Sequence, residues 1–135
     1  MSNVNEIAIL VSALLALAVG SIWYSPLVFG KHWQRAAGLS DADLELSKPL
    51  FLRSLVVAFV SNVIVLTIVA YLVRLVLTYE LSSIRLMFGT VMLLGASIVS
   101  MVVWEKRSLM YFIIHVGYAA TIVVLGFFVI TYWPW

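Results

Sequence analysis

Four long apolar runs, separated by short polar breaks, make up almost the whole chain. They lie at about residues 7–27, 50–77, 84–104 and 109–131. About 20 apolar residues cross a hydrocarbon core of about 30 Å at 1.5 Å per residue, and a helix satisfies its own backbone hydrogen bonds where water is absent. The pattern predicts an all-α protein, a single four-span transmembrane domain over residues 1–135. Its fold class is an integral membrane four-helix bundle with a short interfacial helical loop after the first span.

The breaks are as informative as the runs. Pro26 lacks a donor and disfavours helical geometry at Ser25, so the first helix should end or kink there. In the loop that follows, Phe29, Lys31, Trp33 and Arg35 mix aromatic bodies with cationic heads, which suits the headgroup layer. Lys31 to Ala37 is predicted as a short helix with Gly38 as its stop. Ser40 with Asp43 forms a capping-box variant opening a second turn through Leu46. Asp41, Asp43 and Glu45 make the second half of the loop acidic, but too sparsely for a metal site. The segment reads as an interfacial anchor plus a solvated turn. A surface for a partner or an anionic lipid headgroup is the alternative.

Within the spans, small residues mark close-packing faces. Ser12, Ala16 and Gly20 recur every four residues on the first helix, and Gly89, Gly95, Ala96, Ser97 and Ser100 populate the third. Such residues let helix backbones approach where lipid supplies no competing hydrophobic drive. Glu105-Lys106-Arg107 is the whole connection between the last two spans, which makes them an antiparallel hairpin. Tyr132, Trp133 and Trp135 are expected to form a closing aromatic belt.

Composition changes this picture little. With 64% hydrophobic and 10% charged residues, the chain is not an ordinary soluble domain. A net charge of +2 gives no reason to expect nucleic acid, and the absence of Cys excludes disulfides and thiolate chemistry. Ile7 to Val19 with Ala16-Leu17-Ala18 has the look of a signal peptide, but MSNVNE carries no Lys or Arg, so a retained span is expected. Lys31, Arg35, Lys48, Arg53, Lys106 and Arg107 fall on one side of the bilayer, and only Arg74 and Arg85 on the other. The positive-inside rule then puts the first and third loops in the cytoplasm and both termini outside.

Candidate chemistry is thin. No paired intramembrane carboxylate, HExxH, GxSxG or glycine-rich phosphate loop is present. Catalytic residues, metal sites and cofactors are therefore all expected to be none. A haem held by two facing spans is disfavoured, since His115 is the one intramembrane histidine. Asn62, Ser97 and His115 do fall at a common depth, about 12–14 Å from the cytoplasmic boundary, and Tyr118 shares a helix face with His115. A polar cluster of Asn62, Ser97, His115 and Tyr118 is one expectation, binding a small solute or a proton. The other is that His115 bonds Asn62 or a serine as packing glue.

Trp23 to Trp33 reads W-Y-S-P-L-V-F-G-K-H-W. Through Trp23, Tyr24, Ser25, Pro26, Phe29, Gly30, Lys31 and Trp33 it resembles the signature of domain of unknown function 1761, a family of small bacterial membrane proteins. The four spans, the long first loop, Gly117-Tyr118 and Gly126 are similar to that family as well. The resemblance implies a four-helix integral membrane protein and supplies no reaction, substrate or site; a multi-pass protein of the bacterial cytoplasmic membrane is expected. His115 stands where a less basic polar residue is expected and takes no role from the family.

Three functions are open at this point. One is a non-enzymatic helical module that associates with itself or a membrane partner. Another is a small-solute transporter or channel, which would need a homo-oligomer because four such helices leave no room for a wet pore. The last is an interfacial lipid-modifying enzyme around Tyr24, Lys31 and His32, for which no nucleophile–base pair is present.

Overall fold

Lys48 and Pro49 do not break the second apolar run from the loop before it. In the computed structural model, which describes residues 5–134, one helical stretch runs on from Asp41 to Tyr79. Met1 to Val4, and the Trp135 expected in the terminal aromatic belt, lie outside the described residues. The helices are α1 (Glu6–Trp23), α2 (Gly30–Ala37), α3 (Asp41–Ser47), α4 (Phe51–Tyr79), α5 (Ser83–Trp104) and α6 (Leu109–Thr131), with a 3-10 turn, Lys48–Leu50, joining α3 to α4. Pro49 fits that turn because its missing N–H falls among donors that a helix start leaves free.

Local chemistry sets the boundaries. The Asn5 side chain accepts from the Ile7 and Ala8 N–H groups at 3.0 and 3.1 Å and so caps α1. Ser82 and Ser108 cap α5 and α6 in the same manner. Gly38 ends α2 at φ 69°, a left-handed conformation that costs glycine nothing. At α3, Ser40 and Asp43 form the expected reciprocal capping box.

Four helices, α1, α4, α5 and α6, are long and apolar enough to span a membrane, and the protein is a multi-pass, all-α membrane protein. At 29 residues α4 is about 43 Å long, more than the hydrocarbon core requires. Arg53 and Arg74, about 30 Å apart along it, bracket the apolar part.

Packing is uneven. The buried core draws on Ala8, Ala13 and Ala16 of α1, Leu66, Val69 and Val73 of α4, and Val123, Phe127 and Ile130 of α6. These residues lie toward the end of the bundle away from α2. The small face of α1 is used here: Ser12 and Ala16 are fully buried, and α1 packs on both α4 and α6. Gly126 lets Leu66 of α4 lie directly on the α6 backbone. In lipid such contacts stabilise through van der Waals packing rather than hydrophobic drive.

Helix α5 stands apart. It packs along α6 and meets α4 only sparsely. In its spanning window 6% of residues are buried, against 28–33% for the other three helices. Gly95 faces Val116 of α6, but Gly89, Leu93, Ala96 and Ser100 lie on the opposite face and are exposed.

Candidate functional site

The end of α1 shows what the Ser25-Pro26 break accomplishes. Tyr24 N–H donates to Gly20 O at 3.0 Å and Ser25 N–H to Ile22 O at 3.1 Å, which closes the helix. The chain then doubles back. Phe29 N–H donates to Trp23 O at 3.0 Å and Gly30 N–H to Ser25 O at 2.8 Å, so the Gly20, Ile22 and Trp23 carbonyls at the end of α1 are all satisfied within the turn. Gly30 lies against the backbone carbonyls of Tyr24 and Ser25, and an added Cβ would fall 2.6 Å from Ser25 O. The glycine of the Trp23–Trp33 stretch thus has a steric reason.

This turn folds its aromatic side chains onto α6. Trp23 Nε1–H donates to Ile114 O at 3.2 Å. The Trp23 ring lies 4.7 Å from Phe29 and 6.4 Å from Tyr118, centroid to centroid. Tyr24 meets Trp33 edge-on at 5.8 Å and Tyr118 at 5.4 Å. Trp23, Tyr24, Phe29 and Trp33 are all half-buried. Lys31 and His32 are exposed, and Leu27 projects outward at 95% exposure. Gly20 completes the fit, since the space a Cβ would occupy there is filled by the Tyr118 ring and hydroxyl. Tyr118 O–H donates to Ala16 O of α1 at 3.2 Å.

The four polar intramembrane residues divide into two neighbourhoods. Asn62, Ser97 and Tyr118 line a common cleft of about 170 Å³ between α4, α5 and α6, with Val65, Leu94 and Ile122. Ser97 spends its hydroxyl on its own helix, donating to Leu94 O at 2.7 Å. Asn62 is buried beside Tyr118, and its Nδ2 has no hydrogen-bond partner among the described residues, as is also true of Ser12 Oγ. His115 belongs to the aromatic group instead. Its ring stacks on Tyr111 at 4.1 Å, lies 5.8 Å from Tyr24, and its Nδ1 is 2.9 Å from Tyr111 O. Tyr118 touches both neighbourhoods. Among the described residues no three His, Asp or Glu side chains converge as metal ligands would.

Residues that sequence reasoning passed over tie the loop side together. Arg107, counted there only for orientation, donates from its guanidinium to Ala37 O at the end of α2 and to Glu105 at 3.1 Å. It also lies over the Tyr111 ring, 5.7 Å from its centroid. No local signal announces a contact between residues 70 apart in sequence. Asp43, at the exposed edge of this side, accepts from the Ser40 hydroxyl at 2.6 Å and the Ser40 N–H at 2.8 Å. Those bonds, the hydroxyl's foremost, hold its carboxyl below the ordinary 3.8.

The arrangement is therefore a multi-pass bundle whose first span ends in a tight aromatic turn docked on its last span. Comparison with curated proteins and with solved structures finds no match. A family model does match, over residues 7–131, and so takes in all four spans and the turn. The chain belongs to the family described as Protein of unknown function (DUF1761).

Proposed function

We propose that this protein is a non-enzymatic helical module of a bacterial cytoplasmic membrane, and that it associates with a second copy of itself through α5. The observation that carries this is the bareness of α5, with 6% of its spanning window buried. Here Gly89, Ala96 and Ser100 stand outward with Leu93 at 74% exposure, at the spacing that lets a second helix approach closely. The excess of Lys and Arg on the α2 side supports a cytoplasmic placement of that side, with both termini outside.

Native mass spectrometry of the protein released from nanodiscs tests the assembly. A dimer is expected, and a bare monomer under conditions that preserve known membrane dimers contradicts it.

A second reading, a small-solute transporter working as a homo-oligomer, draws on the cleft lined by Asn62, Ser97 and Tyr118. It lies between α4 and α5, beside the face assigned to the second copy. Reconstituted vesicles that pass no small polar solute faster than protein-free vesicles would remove this second reading and leave the first.

A further inference from the structure

A second, larger cavity of about 490 Å³ opens on the loop side, between α2 and the turn joining α5 to α6. It is an open groove rather than an enclosed pocket. Its walls carry Arg35 and His32 from α2, and Lys106 and Arg107 from the α5–α6 turn. Glu105 is the one acid in the lining, and it is engaged by Arg107 at 3.1 Å. Arg107 also holds Ala37 O, which fixes the two walls relative to each other. Arg35 and Lys106 remain, exposed and without an ion-pair partner among the described residues. The formal charge of the lining is positive, and its unpaired part comes from two separate elements.

Position decides what anion it suits. The cavity lies where α5 ends and α6 begins, at the level of the lipid headgroups. Met110, the second residue of α6, is the one long apolar side chain in the lining, and Trp104 at the end of α5 is 84% exposed nearby in the chain. A ligand held here has a negative group among Arg35, Lys106 and Arg107 and an apolar part running down toward Met110. We propose that this cavity binds the phosphate of an anionic phospholipid headgroup. Guanidinium suits phosphate oxygens through paired N–H donors, and a charge-assisted hydrogen bond of this kind strengthens binding about tenfold.

The test uses the full-length protein and native mass spectrometry, titrating phosphatidylglycerol and phosphatidylcholine with identical acyl chains. The unchanged protein should retain phosphatidylglycerol preferentially. The double variant Arg35→Gln/Lys106→Gln should bind it at least about tenfold more weakly, because it loses direct charge-assisted bonds to the phosphate. The control Lys31→Gln/Arg53→Gln removes the same charge from the same side at residues outside the cavity, and should lose no more than a few-fold. Both doubles alter exposed side chains, and circular dichroism confirms that each remains folded. Equal losses in the two doubles, or no preference between the lipids, would overturn the site. Glycerol 1-phosphate that displaces phosphatidylglycerol at equal concentration would assign the cavity to free phosphate esters and overturn the lipid assignment.

Discussion

Replacing Gly30 with alanine adds one methyl group at the tightest point of the turn between α1 and α2. The new Cβ would fall 2.6 Å from Ser25 O and 2.7 Å from Ser25 C, and closer still to Tyr24 O. These are backbone atoms and cannot rotate away. Moving them would also stretch the Gly30 N–H bond to Ser25 O, now 2.8 Å. Overpacking of this kind costs about 1–3 kcal/mol, and a weakened hydrogen bond adds about 1 kcal/mol, so Gly30→Ala should destabilise by about 2–4 kcal/mol. Leu27→Ala, in the same turn, is the control. Its side chain is 95% exposed, and substitutions at such positions change stability by no more than about 0.5 kcal/mol. Unfolding of both variants by sodium dodecyl sulfate titration, followed by circular dichroism, gives the two values side by side. A clear loss is expected for Gly30→Ala alone. A Gly30→Ala protein as stable as the Leu27→Ala protein would refute the described turn.

Three further outcomes follow from the same geometry. Tyr118→Phe removes the bond to Ala16 O and should cost about 0.6 kcal/mol in the same titration; a loss above about 2 kcal/mol would show that the hydroxyl has further partners. Asn62→Leu replaces an amide whose Nδ2 is unpaired with an apolar group of similar size, and should leave stability unchanged or raised by up to about 1 kcal/mol; a clear loss would mean the amide holds helices together. Asp43 has a depressed carboxyl pKa, so its capping contribution is complete above the unfolded value and disappears as pH falls through the folded one. Its carboxyl resonance should titrate with a midpoint below 3.8, and Ser40→Ala should move that midpoint up toward 3.8; an unmoved midpoint would contradict the assigned cause.

Much of the fold is written locally in the chain. Lipid demands about 20 apolar residues per span, so the four runs declare the four long helices. Gly38 and the Ser40–Asp43 pair act on their own neighbours, and the boundaries they set are legible from spacing. Rotation about each helix axis is not legible in this way. The expected grouping of Asn62, Ser97 and His115 rests on rise per residue alone, and the His115 ring turns toward Tyr111 and Tyr24 while Asn62 and Ser97 line the cleft with Tyr118. The Trp23–Trp33 stretch shows its aromatic and basic composition in the sequence. That Trp23 reaches Ile114, 91 residues away, depends on how α1 and α6 pack. The small residues of α5 are likewise easy to see, but only the assembled bundle shows Gly95 turned toward α6 and Gly89, Ala96 and Ser100 turned away from it.

Association through α5 is the central claim, and the absence of any native Cys allows a direct test of it. Single cysteines are placed at Gly89, Leu93, Ala96 and Ser100 on the outer face of α5, and at Val91 and Ile98 on its inner side. Each protein is oxidised in its native membrane and resolved on a non-reducing gel. Disulfide-linked dimers should form at the four outer positions, strongest where the helices cross, and not at residues 91 and 98. Cross-linking that is absent throughout, or equal on both faces, would contradict a second copy seated on α5.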